Sequence, residues 1–120
     1  MNRLLLVLVN VLAASLTWAE DGSAYPEWLR AKIVAYQASP PTSPPRSVLR
    51  TSYLGKTAYY VPPVCCDIPS ELYADDGTLI CRPSGGFAGG DGRCPGFLTA
   101  PAPSTVVWRD SRIISASAPR

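Results

Sequence analysis

All four cysteines of the chain, together with most of its glycines, lie between Cys65 and Cys94. A stretch like that limits the fold more than any hydrophobic pattern does. Cys65 and Cys66 are adjacent, so on an extended backbone they point to opposite sides, and a bond between them would be strained. Each is therefore expected to bond elsewhere. Two connectivities remain open: Cys65–Cys81 with Cys66–Cys94, or the crossed pairing. Bridges closing loops of about 13–30 residues are worth about 3 kcal/mol each in the chain-entropy picture. A zinc site fits poorly, because the chain has no histidine and the spacing lacks a Cys-x2-Cys knuckle. A redox pair would need Cys-x-x-Cys, which is absent.

Disulfides belong to exported proteins, and the N-terminus agrees. Arg3 forms a short charged region, Leu4 to Leu16 is apolar, and Thr17-Trp18-Ala19 ends on a small residue. Residues 1–19 read as a signal peptide, too short for a comfortable membrane span. The expected location is periplasmic or extracellular. Without Arg3, ten Lys/Arg face nine Asp/Glu. That balance argues against a nucleic-acid binder, which needs a basic surplus to displace phosphate counterions. Without histidine the commonest general base is also missing, and a non-enzymatic protein is expected.

Residues 20–25 read as a leader and 26–98 as the folded domain. Pro26-Glu27 opens a helix, with proline at the first helical position. Leu29, Ile33 and Tyr36 share one face, widened by Trp28, Ala31 and Ala35. Four prolines between Ala38 and Arg46 make an extended linker, with a proline-rich ligand as the less favoured reading. Ser47–Tyr53 and Lys56–Val61 form a hairpin about Leu54-Gly55. Pro69 to Tyr73 reads as one helical turn. Asp75-Asp76-Gly77 is a turn, and Thr78 to Arg82 a strand with Leu79 and Cys81 on one face. Residues 99–120 form a proline-rich, flexible C-terminal segment. Within it Thr105 to Arg109 is a candidate fourth strand, and Ser111 to Arg120 has little to bury.

The expected fold is α+β: one N-terminal amphipathic helix on a small antiparallel sheet of three or four strands, with disulfide-stapled loops. Anchored loops concentrate binding residues, so Asp67 to Asp76 and Gly85 to Gly92 form the expected contact surface. Asp67, Tyr73, Asp91 and Arg93 are its candidate residues. Asp67, Asp75, Asp76 and Asp91 also define an alternative, a calcium-binding accessory protein. Against it, no EF-hand spacing occurs, and turn chemistry explains each aspartate equally well. A small hydrolase or enzyme inhibitor is a remote third reading. No cofactor is expected, and the partner would be a protein or another envelope component.

One resemblance adds to this. Tyr53-x-Gly55, Tyr59-Tyr60-Val61, Cys65-Cys66-Asp67, Leu72-Tyr73, Gly77, Ile80-Cys81-x-Pro83, Gly85-Gly86 and Gly89-x-Asp91-Gly92-x-Cys94-Pro95 together resemble a family of small exported bacterial domains of unknown function. The resemblance covers about residues 28–97. It implies an exported domain and brings no activity, cofactor or catalytic residue.

Overall fold

The computed structural model describes residues 25–65 and 67–112. The expected signal peptide, all of the leader but Tyr25, Cys66, and residues 113–120 lie outside the described residues.

Helix α1 (Glu27–Ala38) starts one residue later than the proline pattern predicts. Pro26 is its N-cap, in extended conformation, and its carbonyl accepts the Leu29 and Arg30 N–H groups at 3.0 and 3.1 Å. Proline suits the cap as well as the first turn, since neither position needs its N–H. Ser39 ends the helix, donating from N and Oγ to the carbonyls of Tyr36 and Ala35.

Five strands follow: β1 (Ser47–Tyr53), β2 (Lys56–Val61), β3 (Glu71–Ala74), β4 (Leu79–Cys81) and β5 (Thr105–Arg109). The sheet order is β4-β3-β2-β1-β5, and every pairing is antiparallel. The sheet thus has one strand more than the upper expectation. The helical turn expected over Pro69–Tyr73 is replaced by β3, whose Tyr73 and Leu72 pair with Tyr59 and Tyr60. The reason is tertiary. Leu72 and Tyr73 are both buried but in different clusters, one on each side of the sheet. An extended backbone sends neighbours to opposite faces, and a helical turn does not.

A register shift between Leu72 and Tyr73 corrects a second expectation. Tyr73 pairs with Leu79 and Leu72 with Cys81, so Leu79 joins the helix side and Cys81 the other. The bulge inserts one residue and so breaks the alternation that placed Leu79 and Cys81 together.

The core on the helix side contains Leu29, Ile33, Val48, Tyr59, Val61 and Tyr73. Trp28 packs edge-on against Tyr59, with centroids 5.7 Å apart, and donates its indole N–H to the Asp75 carbonyl at 2.8 Å. The β3–β4 turn receives that ring closely: a Cβ on Gly77 would stand 2.9 Å from it. The opposite side buries Ala58, Leu72, Cys81, Cys94 and Phe97.

The C-terminal segment is packed as far as Arg112, so the expectation that Ser111 onward has little to bury fails at Arg112, while Ser111 is exposed. Arg112 donates to both Asp110 carboxylate oxygens and to the carbonyls of Tyr36, Gln37 and Ser39. Those carbonyls lie at and just past the C-terminal end of α1, where acceptors are left over, so the guanidinium acts as a cap. Asp110 N–H also bonds the Arg46 carbonyl at 2.8 Å, which continues the β1–β5 pairing beyond Arg109.

Candidate functional site

The four cysteines do not pair as expected. Cys81 bonds Cys94, with their Cα atoms 6.0 Å apart, so neither remains for Cys65 or Cys66. Asp91 explains the pairing. Its N–H donates to the Arg82 carbonyl at 2.9 Å, and its carboxylate accepts the Arg82 N–H at 2.8 Å. The returning limb of the glycine loop is thereby laid beside the end of β4. Cys81 and Cys94 then face each other on the buried loop side, while Cys65 is exposed before Asp67.

The loop between these cysteines is held at several points. The Asp91 carboxylate also accepts the Arg93 N–H at 3.0 Å. That donor, foremost, holds the carboxyl below its usual range; the Arg82 N–H and the two guanidinium charges add to it, against some desolvation. Ser70 is wholly buried. Its hydroxyl lies 2.9 Å from that of Ser84 and accepts the Ser84 N–H at 2.9 Å. The Ser70 N–H donates to the Ser84 carbonyl at 2.8 Å. Gly90 lies against the outgoing limb, where a Cβ would stand 2.5 Å from the Pro83 carbonyl oxygen. Sequence reasoning missed the Ser70–Ser84 pair, since two serines fourteen residues apart carry no spacing signal.

Of the candidate contact residues, Asp67, Asp91 and Arg93 are exposed in this loop region. Tyr73 is not with them. It is buried on the helix side, and its hydroxyl donates to Glu71 at 2.5 Å. Burial, then the bond to Glu71 and its charge, push the phenol well above its ordinary pKa. Lys32 Nζ lies 4.7 Å from the Tyr73 ring centroid, where the ring face favours a cation.

The four aspartates of the calcium alternative do not converge either. Asp76 accepts the Thr78 N–H at 2.9 Å, a turn bond that lowers its pKa. Asp91 is engaged as described. Among the described residues no three His, Cys, Asp or Glu side chains come together as a metal site would require.

What the loop does present is apolar. Phe87 within it is fully exposed, and Ile68, whose carbonyl lies against Gly85, is 47% exposed. On the same side of the sheet as the disulfide, residues 97–104 cross β1 and β2 and leave a cavity of about 170 Å³. Leu49, Tyr60, Phe97, Leu98, Pro101 and Ala102 supply most of its wall. The Thr51 hydroxyl at its edge is committed to the Pro103 carbonyl at 3.2 Å.

Fold and site together define a small α+β domain with one helix-covered face and one face carrying a disulfide-closed glycine loop. The chain belongs to the DUF6970 family of domains of unknown function, whose model matches residues 34–110. That match takes in the whole sheet and the disulfide loop. No curated protein and no solved structure matches the chain.

Proposed function

We propose that this is an exported, non-enzymatic binding module, with the loops at Asp67–Pro69 and Gly85–Gly92 as its contact surface. The supporting observation is Phe87. A wholly exposed phenylalanine is unfavourable in water. Here the loop bearing it is closed by a disulfide, braced by Asp91 and tied to Ser70. A loop held this way gives up little conformational freedom on binding, and aromatic side chains dominate contact energies when they enter a partner's pocket. Export rests on the apolar N-terminus and the disulfide. The fuller Cys-Cys-Asp…Gly-Asp-Gly-x-Cys pattern is read as the signature of this loop. Asp91 and Cys94 have roles in it, and exposed Arg93 is read as a polar contact residue.

A photo-crosslinking residue at position 87, introduced into the protein expressed with its own N-terminus, tests this reading. Discrete protein adducts in the periplasmic or secreted fraction are expected, and the same probe at exposed Val34 should give none. Retention of the protein in the cytoplasm, or no difference between the two positions, would overturn it.

A further inference from the structure

The same molecule carries an exposed aromatic ring and a cavity of matching size. We propose that the chain associates with itself, the phenyl ring of Phe87 on one copy entering the cavity beneath residues 97–104 of another. This rests on the reading of the Phe87 loop as a contact surface and names its partner.

Size is the first argument. A protein cavity of about 150 Å³ lined by aliphatic and aromatic carbon takes one benzene molecule, and this one measures about 170 Å³. The volume is therefore on the scale of a phenyl ring. Lining is the second. Tyr60 and Phe97, with centroids 5.1 Å apart, offer ring faces and edges at the spacing aromatic groups prefer. The Thr51 hydroxyl already has its partner, so it does not call for a water there. Supply is the third. The chain has two phenylalanines: Phe97 lies in the cavity wall, and Phe87 projects into solvent. Charge does not oppose the contact, because no Asp, Glu, Lys or Arg lines the cavity. Each copy carries one ring and one cavity, so reciprocal exchange gives a two-fold dimer and one-way exchange a head-to-tail chain.

Sedimentation velocity on the oxidised protein, from micromolar to near-millimolar concentration, tests this with three variants. Phe87→Ala removes the ring. Ala102→Phe fills the cavity from within. Leu98→Arg places a charge at the mouth, on a side chain that is already 50% exposed and so tolerates change. The wild-type protein is expected to self-associate. Each variant should weaken association by at least about tenfold, the scale of a central aromatic contact, with a melting temperature showing that it is folded. Mixing Phe87→Ala with Ala102→Phe should restore a one-to-one complex, because one retains the cavity and the other the ring. A wild-type protein monomeric throughout, or association indifferent to all three variants, would overturn the proposal. So would a mixture that fails to associate while both variants are folded. If the wild type is monomeric yet position 87 still crosslinks a different protein, self-association fails and the binding-module reading stands.

Discussion

On the side of the sheet that α1 covers, the core draws on four separate elements: Leu29 and Ile33, Val48, Tyr59 and Val61, and Tyr73. Trp28, Tyr36 and Trp108 close its rim with ring contacts. On the other side, Cys81, Cys94 and Phe97 lie on Ala58 and Leu72. There the covering chain is irregular and is held by a disulfide, by Asp91 and by the Ser70–Ser84 bonds. The first face is held by buried area and the second by local tethers. Tethers keep a surface in shape without burying what it carries, so the second face can leave Phe87 in water and a cavity open beside Phe97.

The largest effects should come from the two anchors. Leu29 is completely buried, and Leu29→Ala is expected to cost about 2–5 kcal/mol in urea unfolding, as large-to-small core changes do. Val34 on the same helix is 59% exposed, and Val34→Ala should stay within about 0.5 kcal/mol. Replacing Cys81 and Cys94 together by serine opens a loop with sequence separation 13 and should cost about 3 kcal/mol. The comparison becomes sharper in native-state amide exchange. Without the disulfide, Leu79–Cys81 should exchange faster while α1 keeps its protection relative to global unfolding. Equal acceleration in both would show that the two faces melt as one unit and break the contrast.

The same difference explains what could be read in advance. α1 was legible because Leu29, Ile33 and Tyr36 recur at helical spacing, and the β1–β2 hairpin because Gly55 sits between alternating runs. β3 was not. Pro69-Ser70-Glu71-Leu72-Tyr73 has no period of its own, and only the unfilled edge of β2 makes it a strand. The disulfide was legible in kind and misread in pairing. Adjacent cysteines drew attention to Cys65 and Cys66, whereas the pairing is decided by Asp91 docking on Arg82, a contact across nine residues. What the sequence does not show of Asp91 is that its carboxylate accepts two backbone N–H groups. Tyr73 lies among loop residues in sequence, and strand alternation turns it to the far face. Arg112 gave no signal, since its partners are carbonyls some 73–76 residues earlier.

A smaller effect separates two glycines, one serving each face. Gly77 has φ +91 and faces the Trp28 ring, where a Cβ would stand at 2.9 Å; Gly89 has φ +73 and open space around it. Alanine at either position meets backbone strain of about 1–2 kcal/mol. At Gly77 it must also displace the indole that bonds Asp75. Gly77→Ala should therefore lower thermal stability more than Gly89→Ala, and only Gly77→Ala should shift the Trp28 fluorescence. Equal losses with unchanged fluorescence would mean that the turn and helix are not in register as described.

The smallest effect concerns pH, and it belongs to the helix side. Asp110 is buried, and its bonds from Arg112, first the side chain and then the N–H, bring its pKa down to about 2; the charges of Arg112 and Arg46 add to this against desolvation. An unfolded aspartate titrates near 3.9, at about its ordinary value. The folded pKa lies below the unfolded one, so the carboxylate stabilises the fold above about pH 4, and that contribution is lost as pH falls toward 2. Urea midpoints measured at intervals from pH 5 to pH 2 should fall for the wild type. Asp110→Asn should begin lower, because Arg112 loses the carboxylate that orients it toward the end of α1, and should change less over that window. A residual slope is expected from Asp76 and Asp91, both also held below their usual range. Adding Asp91→Asn to Asp110→Asn should flatten the slope further while loosening the loop rather than the helix. If Asp110→Asn leaves the wild-type slope intact, the Arg112 cap is not coupled to the carboxylate. The helix side would then owe its acid sensitivity, if it has any, to groups other than this pair.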